Sequence, residues 1–323
     1  MQFFLRRLAS IIPVLGIVLV GSFLLLEAAP GDAVDSYVAQ MGGADAEQVA
    51  SLRAAWGLDQ GALQRFFAYA SALFRGDFGW SSAFQKPVLS IILERLPVTL
   101  LLMGVSTLLA FFAGSLLGVV AGAKPNSIRD RLLSLTSLAL YAVPGFWAGL
   151  VLIVIFGVSL RWLPIGGFET IASGKAGLAR ASDIAKHLIL PVVSLSCVYL
   201  TLYLRLMRDR MVDLRDEAFV QALRARGISY RRIIWRHIAR NAVLPVVTML
   251  GLQAGAMLGG SVVIESVFAI PGFGRLAAEA VAKRDTALLL GVILFGAFAV
   301  IIANLLVDLA YSRLDPRVRS KPQ

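Results

Sequence analysis

The sequence predicts an all-α, polytopic membrane protein with six transmembrane helices, and three observations carry that prediction. First, 58% of its residues are hydrophobic and its mean hydropathy is +0.77, where about half of a soluble domain is apolar. Second, six stretches lack Asp, Glu, Lys and Arg over at least about 18 residues, enough to span a bilayer as a helix. They are Leu8–Leu26, Leu96–Ala123, Leu132–Leu160, His187–Leu204, Asn241–Ile264 and Thr286–Val307. Third, the charges between these stretches are uneven. With the N-terminus in the cytoplasm, 19 basic residues fall inside and 12 outside. The positive-inside rule therefore accounts for the net charge of +11 without a nucleic-acid partner. Both termini are then cytoplasmic.

Taken in order, Met1–Leu26 begins with Arg6 and Arg7 ahead of a long apolar run. That run exceeds the 7–15 residues of a signal-peptide core, so a retained first helix is expected, within an N-terminal segment 1–29. Residues 30–95 form an extracytoplasmic loop with seven acidic and five basic residues. Leu52–Leu58 and Leu63–Phe74 have helical apolar spacing, and Gly76–Ser81 reads as a turn. The loop serves either as a cover for the bundle or as a docking surface. Residues 96–311 form a five-helix core, and 312–323 a cytoplasmic tail.

Glycines recur at four-residue spacing within the core: Gly114, Gly118 and Gly122; Gly145 and Gly149; Gly251, Gly255 and Gly259. Such stripes let helices approach closely in lipid, with a pathway wall as the lesser alternative. Pro144-Gly145 predicts a kink in the third span. His187 and His237 read as hydrogen-bonded structural residues, and the single Cys197 allows neither a disulfide within the chain nor a Cys-rich metal site.

The segment that orders the rest is 205–240, which holds ten Arg, no Lys and four carboxylates between two apolar runs. Glu217–Gly227 predicts a short helix, started by Asp216 and Glu217 and ended by Gly227, with Phe219, Ala222 and Leu223 on one face. It could lie on lipid headgroups or dock on a partner. Further along, Gln253, Ser261 and Glu265 place polar atoms in the fifth span. They are read as lining a translocation path, or else as bonding between helices.

No Gly-x-x-x-x-Gly-Lys-Ser/Thr run exists. The nearest Gly-Lys, Gly174-Lys175, continues Ala176-Gly177 in an outer loop. Uphill transport would then draw on ATP bound by another chain. An intramembrane enzyme would need a catalytic constellation within the spans, and a self-sufficient carrier repeated halves with charged or broken helices. The sequence fits both poorly.

Several runs resemble one family across essentially the whole chain. Gln221-Ala222-Leu223 stands where importer permeases of the ATP-binding-cassette (ABC) type carry Glu-Ala-Ala, and Gly227 matches that motif's glycine. Arg224–Arg232, Arg236-His237 and Arg240–Pro245 look like the dipeptide, oligopeptide and nickel branch. So do Gly76-Asp77-Phe78-Gly79-Trp80-Ser81, Arg161–Gly167, Gly259–Leu276 and Asn304–Arg319. The resemblance implies a type I importer permease fold in the bacterial inner membrane. It also implies a second homologous permease, two cytoplasmic ABC ATPases that bind the ATP, and an extracytoplasmic substrate-binding protein, with no cofactor in this chain. Glu217, Phe219, Ala222, Leu223, Arg224, Ala225 and Gly227 would couple to the ATPases. The solutes implied are peptides first, then nickel or another small solute.

Overall fold

The computed structural model describes residues 2–28, 34–35, 38, 42–55 and 59–314; the side chains of residues 2–12, 26, 252, 254–260 and 306–314 lie outside that description. The helices in chain order are α1 (Gln2–Ala28), α2 (Ala46–Ala55), α3 (Ala62–Phe74), α4 (Val88–Ala123), α5 (Ile128–Ala142), α6 (Gly145–Leu152) and α7 (Gly177–Asp213). There follow α8 (Ala218–Ala225), α9 (Tyr230–Arg232), α10 (Ala239–Gly260), α11 (Val262–Val267), α12 (Phe273–Ala282) and α13 (Thr286–Leu314). Wider π-type turns continue α6 over Ile153–Ser159 and join α9 to α10 over Ile233–Ile238. Two short strands, β1 (Trp80–Ser81) and β2 (Lys86–Pro87), pair antiparallel.

Among the described residues three helices are long and apolar enough to cross a membrane: α4, α7 with the turn after it, and the Thr286–Leu305 part of α13. A shorter apolar stretch, Pro13–Leu25, lies in α1. The third expected span differs from expectation. It is two helices, α5 and the α6 element, that meet at 97°. Pro144 holds extended backbone at the start of α6, so the missing N–H and fixed φ break the helix instead of kinking it.

The chain forms two compact units. In the first, made of residues 1–97 and 276–302, Phe23 of α1 packs edge-on against Phe66 of α3 at 5.3 Å between ring centroids. Arg65 pairs with Glu27 beside them. Asp285, between α12 and α13, is buried and accepts from Ser81 Oγ at 2.6 Å, Ala83 N at 3.0 Å and Leu288 N at 3.0 Å. One carboxylate thereby fixes the β1–β2 turn and starts α13. The expected turn at 76–81 leads into this hairpin, and α2 and α3 are the two expected loop helices, α2 starting six residues early. Trp56–Leu58 lie outside the described residues.

The second unit comprises residues 98–275 and 303–323. Here α4 lies along α7. A Cβ at Gly114, Gly118 or Gly122 would stand 2.9, 2.6 or 2.5 Å from the Cβ of Tyr203, Met207 or Met211. The first glycine stripe is thus architecture, since only glycine allows that approach. Gly149 meets the Phe268 ring in the same manner. The surroundings of Gly251, Gly255 and Gly259 lie outside the described residues. Buried Tyr203, Met207, Met211, Ile233, Ile234 and Ile238 form one apolar cluster, and Leu102, Leu190, Leu195, Ile264 and Phe268 belong to another.

Candidate functional site

Two places in the second unit carry the residues singled out from sequence. The first is the segment 205–240. Helix α7 does not stop at its apolar run but carries Arg205–Asp213 onward, and a 3-10 turn, Leu214–Asp216, delivers the chain to α8. Arg208 fixes this extension to the foot of α5. Its Nε and Nη2 donate to Asp130 Oδ1 at 2.6 Å and Oδ2 at 2.8 Å, a two-point grip that sets orientation as well as distance.

Helix α8 starts at Glu217, whose backbone is extended and whose side chain makes no cap, and it ends in a two-bond glycine closure. Gly227 N donates to Arg224 O at 2.9 Å and Ile228 N to Leu223 O at 3.2 Å, with Gly227 at φ +75°. This is the left-handed closure expected of Gly227. Val220 is fully buried, and Phe219, Leu223 and Ile228, half-buried, pack with it on the Met207–Ile238 cluster. Ala222 does not share that face. It is exposed, together with Glu217, Gln221, Arg224, Ala225, Arg226 and Gly227. The packed stripe is centred between Val220 and Leu223, which leaves Ala222 at its edge. Sequence reasoning passed over Val220, although its i,i+3 spacing to Leu223 was the available signal.

Tyr230 completes the seat. Its Oη donates to Ala123 O at the end of α4 at 2.8 Å, and the guanidinium groups of Arg215 and Arg224 lie 6.0 and 5.9 Å from its ring centroid. The short helix is thereby held from the ends of α4 and α7, while its other side faces outward.

The second place is the corner from Ser261 to Arg275. Glu265 is completely buried, accepting from Thr99 Oγ1 at 2.6 Å and from Arg275 N at 2.7 Å. Thr99 Oγ in turn accepts from Phe273 N at 2.7 Å. A Cβ at Gly272 would fall on the Glu265 carboxyl, so glycine is required there for lack of room. The carboxylate ties α4, α11 and α12 together, the geometry of interhelical bonding. Ser261, one turn before it, is equally buried, and its Oγ has no hydrogen-bond partner among the described residues. Gln253 is half-buried in α10. Thr99, a partner that the sequence did not single out, had a signal in retrospect, since a carboxylate in an apolar run needs a donor.

Ahead of the fourth apolar run, Asp183 accepts from Thr170 N at 2.7 Å, Thr170 Oγ1 at 2.9 Å and Lys175 Nζ at 2.5 Å. The Lys175 hydrogen bond, followed by the Thr170 amide, holds its carboxyl well below the usual range. His187 Nδ1 lies 2.9 Å from Asp183 O, a structural contact. No group of three or more His, Cys, Asp or Glu is placed to hold a metal ion among the described residues.

Comparison with known proteins fits this geometry. The family described as binding-protein-dependent transport system inner membrane component matches residues 114–320, and the N-terminal model of such membrane components matches residues 1–103. The chain is 35% identical to the oligopeptide transport system permease protein AppB of Bacillus subtilis (strain 168), covering 98% of each. It is 34% identical to the di/tripeptide transport system permease protein DppB of Pseudomonas aeruginosa (strain UCBPP-PA14), covering 99% of each. Among solved structures, an inward-facing MetNI methionine ABC transporter chain is similar in fold, with a TM-score of 0.56 at 15% identity over 70% of this chain and 96% of that one.

Proposed function

This chain belongs to the binding-protein-dependent transport system inner membrane components, and we propose that it couples solute passage to ATP hydrolysis through α8. The observation that carries this reading is the asymmetry of α8. Val220 is buried as an anchor, Gly227 closes the helix at φ +75°, and the opposite face, Ala218, Gln221, Ala222 and Ala225 with exposed Arg226 beside it, has small or polar groups directed outward. A smooth alanine stripe fits a groove closely, and arginines beside it can bond acidic groups there.

On this reading α8 docks on a cytoplasmic ATPase, which holds the ATP, and the chain itself catalyses nothing. A second permease shares the translocation cavity with this chain, and an extracytoplasmic binding protein delivers the solute. Relatives named for oligopeptide and di/tripeptide transport support peptides as the solute class, with nickel or another small solute as the alternative. Movement of the ATPases displaces α8. The displacement passes through Tyr230 to α4 and through the Arg208–Asp130 grip to α5 and α7, which rock as alternating access requires. Gln253 and the unpartnered hydroxyl of Ser261 are assigned to the path, and Glu265 holds its outer corner. The termini and segment 205–240 are cytoplasmic. A cysteine at Ser229 is then protected from an outside-only thiol reagent, while cysteines at Ala44 and Lys175 react.

The direct test replaces Cys197 by Ser and places one cysteine at Ala222, opposite cysteines in the ATPase groove. Cross-linking that changes with nucleotide state supports docking. Its absence in every state overturns it.

A further inference from the structure

The arginines of segment 205–240 divide by partner. Among the described residues Arg208 and Arg210 pair with carboxylates, and Arg215 and Arg224 lie against Tyr230. Arg231, Arg232 and Arg236 are exposed, with no hydrogen bond, ion pair or ring contact among those residues. With Ser229 and Trp235 they line an open cleft of about 640 Å3. The Trp235 indole is 48% exposed in it.

The polarity of this face changes along its length. Arg232, Arg236, Arg240 and Leu244, at steps of four, are all exposed, Leu244 at 62%. Guanidinium thus gives way to hydrocarbon within one turn past Arg240, and the Trp235 indole lies among the arginines ahead of the change. That order of groups matches a membrane surface, where tryptophan sits at headgroup level and arginines beside a span meet anionic headgroups. An acidic protein surface would satisfy the arginines but would leave Leu244 uncovered beyond it.

We propose that Ser229, Arg231, Arg232, Trp235 and Arg236 form a site for an anionic phospholipid. The guanidinium groups and the Ser229 hydroxyl donate to the phosphodiester oxygens, and the acyl chains run past Trp235 toward Leu244. The bound lipid would fix the chain immediately after Gly227, and so set the plane in which α8 is presented. The inference rests on the membrane reading and not on docking of α8.

The test is phospholipid retention by the full chain, purified in detergent and measured by native mass spectrometry with added phosphatidylglycerol or phosphatidylcholine. Wild type should retain phosphatidylglycerol preferentially. The preference should fall about fivefold for each of Arg231, Arg232 and Arg236 changed to Gln. Soluble glycerophosphoglycerol should not compete, since it lacks the acyl chains. Arg129→Gln with Arg131→Gln removes two cytoplasmic charges elsewhere and should leave the preference within about twofold, whereas a merely non-specific attraction between basic residues and anionic headgroups would lower it as the cleft substitutions do, charge for charge. An equal fall in that control, competition by the soluble headgroup, or no fall in the cleft variants overturns the site. Retained lipid with lost ATPase capture in the cleft variants does so too, and reassigns the cleft to a protein contact. Arg236→Gln alone keeps the test if the triple variant does not fold.

Discussion

The α8 segment and the Ser261–Arg275 corner are both family-specific runs in the sequence, and they use their polar residues in opposite ways. At the corner Glu265 has no exposure, and its carboxyl oxygens meet Thr99 and the Arg275 amide. At α8 one residue, Val220, is fully buried, and the residues that make the run recognisable, Gln221, Ala222, Arg224 and Gly227, are on the surface. A motif that is satisfied from within the chain is explained by folding. One that leaves its side chains on open surface is not explained by folding, and the proposed docking of α8 accounts for it. The two regions should therefore respond differently to substitution.

The largest effect is expected at the corner. Glu265→Leu leaves the Thr99 hydroxyl and the Arg275 amide without an acceptor, which costs about 2–4 kcal/mol. Folded yield and detergent melting temperature should both drop. A variant that folds normally and fails only in transport would break the comparison and return Glu265 to the path. Gly272→Ala presses a methyl onto the same carboxyl and should lower the melting temperature by a smaller amount, about 1–3 kcal/mol in stability.

At α8 the sign of the readout reverses. Gly227→Val forces a β-branched residue to φ +75°, a strain of roughly 1–2 kcal/mol confined to the end of an eight-residue helix. Expression and assembly should stay near normal while transport and substrate-stimulated ATP hydrolysis fall together. Intact transport in this variant would remove α8 from the coupling route. Tyr230→Phe sharpens the point by deleting only the hydrogen bond to Ala123, about 1 kcal/mol. Transport per ATP hydrolysed should decline out of proportion to a melting shift of no more than a few degrees. If melting falls and the ratio does not, Tyr230 only supports the fold.

The smallest effect concerns Asp183. Its carboxyl is depressed in the folded chain, so its stabilisation is complete above the ordinary carboxylate pKa and is lost as pH falls through the lower folded value. Between about pH 5 and 8, melting should be flat with respect to this group. Lys175→Met should change the melting temperature little, because Lys175 is 40% exposed and solvent screens the pair. A melting curve that falls steeply from pH 7 to 5 in wild type, and not in Lys175→Met, would contradict this.

What the sequence determined by itself follows from local physics. Apolar length placed the helices, and Glu217 and Gly227 bounded α8, because end signals and transfer of apolar surface act on neighbouring residues. Tertiary structure alone decided which side of α8 is buried. That side depends on where Met207, Met211 and Ile233 arrive, and this put Val220 inside and Ala222 out. It also decided that Pro144 breaks the third span at 97° rather than bending it. It chose the partners of buried carboxylates, with Thr99 reaching Glu265 across 166 residues and Ser81 reaching Asp285 across 204. A buried charge announces in the sequence that a donor is required, but the donor's identity is set by helix packing, which depends on contacts far apart along the chain.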